Sequence, residues 1–484
     1  MFVTIRHIAA LTLGASLSAC VAGPDYRPPV PPSATTGAFV SQAPGTLSGA
    51  APHEKWWRIY DDPVLDALIG QAFTANTDLR VAVANLKAAQ AVTAEARIAR
   101  LPSTTVNGNA TYGRNQPPLY LPGDRFTFGG GLDLSYEVDL FGRVSRSIEA
   151  ARADADALAF ARDAVQVRVA ASVTDAYLTA CTSAQAIAVI HASITLAGDS
   201  ARIVSLQERA GSASTLDVER ALGAVAQARA SLAPLENQRQ AALFELAALL
   251  GLPPSQIPEA APRCGLAPSP HRPIPIGDGQ SLLRRRPDVA LAERQLAAAT
   301  ARIGIATADL YPRISLGASV SQSGGDGIGA GQRLSFGVGP LLSFTFPNIG
   351  AARARIRQSE ARTQAAMAGF DGVVLTALKE AEQALTAYAA QVRRRTDLIE
   401  AERRADHAFR LADARYRAGS IAYLDAIVAQ NDLVNARLAR VQSDQQVASS
   451  LVGVFRALGG GWGDLPRITD HTYPVPDLSR STKD

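Results

Sequence analysis

The sequence predicts a mixed α+β membrane protein in which pairs of strands are inserted between very long helices. Three observations support this fold class: a short apolar N-terminus that ends at a cysteine, an internal repeat of about 210 residues, and alternating strands beside proline-free helical runs. Together they predict one structural unit that occurs twice along the 484 residues, behind an export signal.

Composition and charge narrow the class of protein. The chain carries 48 basic and 44 acidic residues, and the excess forms no basic tail, so no nucleic-acid partner is expected. Apolar residues make up 47% of the chain, and alanine is the commonest of them, whereas Met and Trp number only 2 and 3. Small side chains at this density suit close contact between helices better than a conventional thick core.

The N-terminus has the features of an export signal. Arg6 and His7 precede an apolar run at 8–17 that is too short to span a bilayer. The run ends just before Cys20 and resembles bacterial lipoprotein signals, in which that cysteine is acylated after cleavage. An ordinary signal peptide that contains a cysteine is the alternative. Acyl chains on Cys20 would anchor the chain without a transmembrane helix, and Val21 in the next position favours the outer membrane.

Two cysteines remain in the mature chain, Cys181 and Cys264. Export permits a disulfide bond between them, but a single pair in a large protein is weak evidence for one. We interpret them as two inert thiols.

Internal symmetry is the strongest feature of the sequence. The segment 78–102 returns without a gap as 288–312, and Gly211 returns as Gly419. A joint rich in proline and glycine separates the two copies. The expected organisation is a signal peptide at 1–19, an acylated lead and linker at 20–76, a first repeat at 77–250, a joint at 251–286, a second repeat at 287–458 and a C-terminal tail at 459–484.

Both copies have the same predicted order of elements: a helix, two strands, a very long helix and a final helix. The predicted helices are 77–100, 143–209 and 214–250 in the first copy and 287–310, 350–417 and 422–458 in the second. The predicted strands are 103–113, 126–138, 313–322 and 333–346.

The predicted strands alternate between apolar residues and small or polar ones. Along 126–138, Phe128 and Leu132 share a face, and Asp133 and Ser135 lie on the other. Such alternation fits a soluble sandwich as well as a membrane barrel. The length of the strands and their small, polar second face favour a barrel with a wet lumen.

The helices are unusually long. Residues 143–209 contain no proline and would reach roughly 100 Å at ~1.5 Å per residue. In the last helix Ile427, Val434 and Val441 recur at every seventh position, which is typical of helices that wind against neighbours.

The number of predicted strands indicates that several copies of the chain assemble into one barrel. Four strands cannot close a membrane barrel, for which about eight is the practical minimum. An open strand edge cannot face lipid, so the barrel must be shared between chains. Two chains would supply eight strands with a lumen filled by side chains, and three would supply twelve, which favours three for transport.

Five motifs, found in order along the mature chain, resemble TolC-like outer-membrane efflux lipoproteins of the NodT branch. They are Cys20 followed by Gly23-Pro24-Asp25-Tyr26-Arg27-Pro28, Trp57, Asp62-Pro63-Val64-Leu65, Arg286-Pro287-Asp288-Val289 and Ala308-Asp309-Leu310-Tyr311-Pro312. The resemblance implies a homotrimer with a twelve-stranded barrel in the outer membrane and a long α-helical barrel in the periplasm. It further implies a passive efflux duct that works with a periplasmic adaptor and an inner-membrane pump of the resistance-nodulation-division type, with no cofactor beyond the lipid on Cys20.

The candidate site residues surround the two glycine turns. The turns at Gly211 and Gly419 should lie at the periplasmic tip, opposite the strands. We interpret Asp217 as a helix cap, because acidic residues near a helix N-terminus are stabilised there. The resemblance implies that Asp425 contributes to an acidic ring at the closed entrance, although Val428 stands where the family has a second aspartate. The expected gate residues are Tyr416, Arg417 and Asp425, and the expected adaptor-contact residues are Gly211, Ser212, Asp217, Gly419 and Ser420.

The remaining sequence features predict no role in transport. The arginine runs 284–286 and 393–395 are interpreted as solvated surface, with the first run as a possible fastener of the joint. No Walker loop, H-E-x-x-H or G-x-S-x-G motif and no metal-ligand cluster occurs, so no enzyme is expected. The alternative is a coiled-coil outer-membrane lipoprotein without channel activity. Such a protein would not require the two strand pairs.

Overall fold

The computed structural model describes residues 21–30, 32–41, 47–113, 124–268, 273–325, 333–344 and 349–460. The predicted signal peptide, the acylation site Cys20 and the tail beyond Gly460 lie outside the described residues.

The order of elements is the predicted one, with further short elements in the lead and the joint. The helices are α1 (Pro63–Ala75), α2 (Thr77–Ile98), α3 (Arg143–Arg209), α4 (Thr215–Ala230), α5 (Leu232–Leu249), α6 (Gly279–Arg285), α7 (Pro287–Ala308), α8 (Ile349–Arg417) and α9 (Tyr423–Ala457). The strands are β1 (Leu47–Ser48), β2 (Ser103–Gly113), β3 (Arg125–Val138), β4 (Ile274–Pro275), β5 (Arg313–Gly325) and β6 (Arg333–Ser343).

The chain divides into two compact units, and both repeats contribute to each. The first unit comprises Met1–Val30, Ala84–Phe160 and Ala290–Val373, and it holds the large sheet. The second comprises Pro31–Val83, Ala161–Val289 and Val374–Asp484, and it holds the main hydrophobic core and the helix turns.

The large sheet is antiparallel, with the strand order β2-β3-β5-β6. The central pair, β3 with β5, joins the first repeat to the second. All four predicted strands are present, and β5 extends beyond the predicted residue 322 to Gly325. β6 ends at Ser343, before the predicted residue 346, and residues 345–348 lie outside the described part of the chain.

The register of the sheet aligns apolar residues in one row across all four strands. Val106 pairs with Leu132, Leu132 with Val320, and Val320 with Phe336. The next row is polar or small, with Asp133 opposite Ser319. Because directly opposed residues share a face, one face of the sheet is apolar and the other is small and polar.

The apolar face is not covered within this chain. Val106 is 80% exposed, and Phe336 and Val338 are each 85% exposed. A soluble sandwich would bury these side chains against a second sheet, at a gain of roughly 25 cal/mol per Å² of apolar surface. The described chain has no second sheet on this face, which favours the membrane barrel over the sandwich.

Helix α3 has the bounds that the sequence predicts and α8 begins one residue early. They contain 67 and 69 residues. By length and composition α3 could cross a membrane, since its most apolar window has a mean hydropathy of 1.4. That window is 44% buried, however, and a core helix meets the same criterion.

The predicted helix 214–250 is divided in two. α4 ends at Ala230 and α5 begins at Leu232. Pro234 lies in the first turn of α5, where a missing N–H is tolerated, but its ring is incompatible with a helix continuing from residue 230. Proline therefore ends α4 at this point.

The lead is more ordered than a linker. Residues 63–75, within the predicted lead and linker, form helix α1. Asp62 caps this helix by accepting hydrogen bonds from the N–H groups of Val64 and Leu65 at 2.8 and 3.1 Å, and Pro63 occupies the first helical position. The Tyr177 hydroxyl donates to the same carboxylate at 2.9 Å, which ties α1 to α3.

The main core lies where the lead, the joint and the four longest helices of the second unit meet. Trp56 is 2% exposed and stacks on Phe455, with ring centroids 4.8 Å apart. Leu47 of β1 pairs with Ile274 of β4, so that the lead and the joint form a small parallel sheet. The apolar lead residues therefore complete the core of the second unit.

Cys181 and Cys264 form a disulfide bond, with 5.1 Å between their Cα atoms. The interpretation as two inert thiols is wrong. Cys181 lies in α3 and is fully buried, and the joint packs beside it, so that folding brings two residues 83 positions apart within bonding range. Sequence separation alone could not show this proximity.

The first arginine run is more than solvated surface. Arg286 is 7% exposed, lies 2.6 Å from Asp288 and 2.8 Å from Glu380, and donates to the Ala457 carbonyl at the end of α9. It therefore fastens the joint, as the sequence analysis allowed. In the second run Arg395 lies 2.5 Å from Asp444 of α9 but its side chain is still 42% exposed, which agrees with the interpretation as solvated surface.

The disulfide bond predicts a stability effect. Because it closes a loop of 83 residues, Cys264→Ser should lower the free energy of unfolding by roughly 2–4 kcal/mol. The melting temperature of the variant in detergent should fall, and reduction of the wild-type protein should lower its melting temperature to the same value. Equal melting temperatures for the oxidised wild type and the variant would show that the bond does not stabilise the fold.

Candidate functional site at the helix turns

The turns after α3 and α8 have the same geometry. Gly211 and Gly419 have φ angles of 77° and 71°, in the left-handed region that favours glycine. The N–H of Ser212 donates to the carbonyl of Gln207 at 2.8 Å, and the N–H of Ser420 donates to the carbonyl of Arg415 at 2.9 Å. Each long helix therefore ends in the same six-residue hydrogen-bonded motif. The hydroxyls of Ser212 and Ser420 donate to the same carbonyls, each at 3.0 Å.

The helices that follow the two turns begin differently. Ser214 caps α4 in a capping box, in which the N–H of Asp217 donates to Ser214 Oγ and the N–H of Ser214 donates to Asp217 Oδ2, each at 3.2 Å. Ser214 Oγ also donates to Asp217 at 2.6 Å, and this bond holds the pKa of the Asp217 carboxyl below its usual range. Asp217 is therefore positioned as a helix cap.

The second copy has no such box. Ala422 occupies the position of Ser214, and no side chain caps α9. The Asp425 side chain lies in the first helical turn and is exposed. Two aspartates at equivalent positions of the repeat therefore have different environments: Asp217 is bound to its own helix, and Asp425 is exposed.

Tyr416 connects the two repeats near the turns. Its hydroxyl donates to Gln207 Oε1 of α3, and its ring lies 5.5 Å from that of Tyr423 at the start of α9. Burial raises the pKa of Tyr416, so its hydroxyl stays protonated at neutral pH and remains a donor. The hydrogen bond thus links the end of α8 to the end of α3.

An apolar cluster lies beside this hydrogen bond. Tyr416 packs against a cluster drawn from α3, α4 and α9, which consists of Ala197, Ala201, Val204, Ala221, Val225, Tyr423 and Ile427. Tyr423 is 7% exposed, and burial, together with the nearby Tyr416 and Asp217, raises its pKa to about 12. Farther from the turns, Ser200 Oγ donates to the buried Gln430 at 2.8 Å. The contacts between α3 and α9 near the turns are therefore apolar packing and neutral hydrogen bonds.

Arg417 is placed differently from Tyr416. Its guanidinium lies 2.9 Å from Asp413, four residues earlier on the same exposed helix face. Within this chain Arg417 thus supports its own helix. The structure places Tyr416 against Gln207 and the apolar cluster, and it leaves Arg417 and Asp425 on the exposed surface.

Sequence reasoning missed Gln207 and Tyr423. The spacing of Tyr423, Ile427 and Gln430 on one face of α9 was a readable sign of burial. No signal in the sequence identifies Gln207 as the acceptor for Tyr416, because the two residues come from different repeats and do not occupy equivalent positions. In the described part of the chain no group of three or more His, Cys, Asp or Glu residues is arranged to hold a metal ion.

Comparisons with known proteins connect this geometry to a family. The family model described as "Outer membrane efflux protein" matches residues 68–252 and 279–460, that is, most of each repeat. Outer membrane protein OprJ of Pseudomonas aeruginosa is 32% identical over 474 residues, which cover 96% of this chain and 98% of OprJ. Nodulation protein T of Rhizobium leguminosarum bv. viciae is 30% identical over 472 residues, which cover 96% of this chain and 95% of that protein.

The solved structure of the outer-membrane channel OprN agrees in fold. It superposes with a TM-score of 0.84 at 33% sequence identity, over 92% of this chain and 100% of that one. The fold is therefore that of TolC-like channels, with a β domain and a helical barrel, and the expected outer-membrane location and efflux-channel function are confirmed. The proteins of this family are transport channels and not enzymes. The chain belongs to the outer membrane efflux protein family and is an outer-membrane efflux channel.

Proposed function

We propose that three copies of this chain form one passive efflux duct with a shared twelve-stranded barrel. The observation that carries this proposal is the four-stranded sheet, in which the outer edges of β2 and β6 have no strand partner among the described residues. Each unpaired backbone group would cost several kcal/mol in hydrocarbon, so the edges of neighbouring copies must pair. Twelve strands leave a lumen that the small, polar face of the sheet can line.

The proposed duct is anchored by lipid and works with two partners. Acylation of Cys20 adds ~0.8 kcal/mol per buried CH₂ group to membrane attachment. A periplasmic adaptor binds the helix turns and connects them to an inner-membrane pump of the resistance-nodulation-division type. Leu216 and Leu424, at equivalent positions beside the turns, are 57% and 46% exposed, which offers the adaptor an apolar contact. The contact surface includes Gly211, Ser212, Asp217, Gly419 and Ser420.

The entrance of the duct is proposed to lie at these turns. Tyr416 restrains the closed state through its hydrogen bond to Gln207, and Arg417 contributes from the exposed face of α8. Asp425, exposed and without a cap partner on α9, supplies one carboxylate from each copy to an acidic ring around the threefold axis. Like charges in a narrow mouth attract cations. Because Val428 replaces the second aspartate of the family pattern, the ring is expected to be modest in strength.

Assembly and membrane insertion should be inseparable. Native mass spectrometry of the protein in detergent should find trimers and no stable folded monomer, because a single chain exposes both strand edges and the apolar face of its sheet. A stable monomer that retains its β structure would contradict the shared barrel.

Removal of the Tyr416 hydroxyl should open the resting channel. Tyr416→Phe keeps the ring packing and loses the donor, while Gln207→Leu loses the acceptor. Each variant should raise the resting conductance in planar bilayers several-fold, since a net hydrogen bond is worth ~1 kcal/mol. The double variant should match the single ones, because both changes break the same bond. Additive effects, or none, would show that this bond does not restrain the entrance.

Substitution of the two equivalent aspartates should distinguish a role in helix capping from a role in ion selectivity. Asp425→Ala should shift the reversal potential in a salt gradient towards lower cation selectivity, because one ring of carboxylates is lost. Asp217→Ala is the matched control: it should leave the reversal potential unchanged and weaken hydrogen-exchange protection at the start of α4, where loss of the cap costs ~1 kcal/mol. If Asp425→Ala left the reversal potential unchanged, the acidic ring would be excluded.

A further inference from the structure

The polar face of the large sheet carries charged residues at two separate levels. On this face, rows of directly paired residues cross the strands, and most of their members are glycine, serine, threonine or asparagine. Exposed ionic side chains interrupt this pattern at Asp133, within β3, and at Arg333, the first residue of β6. In the duct proposed above this face lines the lumen, so both side chains lie along the path of the cargo.

Asp133 is held by a neutral donor. The Nδ2 of Asn107, on β2, donates to Asp133 Oδ2 at 2.6 Å. Asn107 pairs directly with Gly131, where an added Cβ would lie 3.0 Å from Asn107 Oδ1, so glycine leaves room for the asparagine side chain to reach Asp133. An amide donor orients a carboxylate without cancelling its charge. The carboxylate of Asp133 thus has an orienting partner and, among the described residues, no neutralising one.

Arg333 lies at the end of the sheet away from the helices, where β5 leads to β6. It pairs directly with Ser323 of β5, in the row that also contains Gly129 and Asn109. The other members of this row are neutral. The side chain of Arg333 is exposed, and it forms no ion pair within the part of the chain that the structure describes. The guanidinium therefore gives this row a positive charge.

Other charges near this face are balanced by a neighbour. Glu137, closer to the helices, accepts a hydrogen bond from Nε of Arg143 at 2.8 Å. Arg313, also near the helices, lies 2.7 Å from Asp309. The adjacent residues Asp124-Arg125, at the beginning of β3, carry opposite charges. The electrostatic potential along the polar face therefore depends mainly on the carboxylate within β3 and the guanidinium at the start of β6.

The two charged levels are far enough apart to act separately. Asp133 pairs with Ser319 and Arg333 pairs with Ser323, so the levels are four residues apart along β5. At ~3.3 Å per residue their separation is about 13 Å. This distance exceeds the Debye length of about 8–10 Å near physiological ionic strength, beyond which exposed charges are largely screened from each other. Each level therefore has a local potential of its own sign.

We propose that the barrel lumen contains an acidic ring at the level of Asp133 and a basic ring at the level of Arg333, closer to the cell exterior. This inference rests on the duct of three copies proposed above, in which threefold symmetry repeats each side chain three times. The acidic ring repels anions and the basic ring repels cations, so an ion of either sign meets one unfavourable level. The barrel thus favours neutral and zwitterionic cargo over cargo of a single charge.

Cysteine reporters on β5 measure the potential at each level. Ser319→Cys places a thiol opposite Asp133, and Ser323→Cys places one opposite Arg333. The two described native cysteines are bonded to each other and do not compete. The full-length protein in proteoliposomes, at low ionic strength, is treated with cationic trimethylammonium-ethyl, anionic sulfonatoethyl or neutral methyl methanethiosulfonate. The protein without a reporter gives the background rate.

The rate ratio of the cationic to the anionic reagent should be at least fivefold higher for Ser319→Cys than for Ser323→Cys. The reason is that a unit charge ~5 Å away in water changes the local concentration of a monovalent ion several-fold. The neutral reagent should react at similar rates with both reporters. Asp133→Asn should lower the ratio at the first reporter only, and Arg333→Gln should raise it at the second only. Asp133→Glu, the matched control, keeps the charge and should keep the wild-type ratio.

A third reporter, Val320→Cys, distinguishes failure of the charged rings from failure of the duct. Val320 follows Ser319 but lies on the apolar face, where lipid should exclude charged reagents. If Val320→Cys reacted as fast as the two serine reporters, or if those were unreactive, the polar face would not line a wet lumen, which would contradict both the duct and the rings. If the serine reporters reacted with equal ratios, or if Asp133→Asn and Arg333→Gln left the ratios unchanged, the duct would stand and the rings would be excluded.

Discussion

Backbone hydrogen bonding in the bilayer is the constraint on which this structure depends. The sheet of β2, β3, β5 and β6 satisfies its inner backbone groups, and its apolar row from Val106 to Phe336 is exposed in the single chain. Such a sheet is stable only where lipid covers the apolar face and other strands cover the edges. The internal repeat follows from the same constraint, because each copy supplies one hairpin and β3 with β5 joins them.

The two repeats share a turn and differ in the residue that follows it. Gly211 and Gly419 end their helices with the same hydrogen bonds, whereas Ser214 in the first copy is replaced by Ala422 in the second. A single hydroxyl therefore decides whether the next aspartate is bound to its own helix or remains exposed.

The lead holds the fold together at two separate places. In the first unit its initial residues bind Arg146 and α7, and in the second unit Trp56 and β1 complete the core around Phe455. The disulfide bond between Cys181 and Cys264 fastens the joint to α3 within that same core. Segments that look like linkers in the sequence thus carry apolar and charged anchors that the long helices need, because helices rich in alanine bury little surface by themselves.

The sequence by itself determined the element order, the bounds of α3, the strand alternation and the capping role of Asp217, because these depend on periodicity and on neighbours within a few residues. The tertiary structure alone decided the pairing of Cys181 with Cys264, the hydrogen bond from Tyr416 to Gln207 and the burial of Arg146 and Arg286. These contacts join residues dozens to hundreds of positions apart. The distance between two such residues in the folded chain depends on how the long helices pack, and local sequence patterns do not predict that packing.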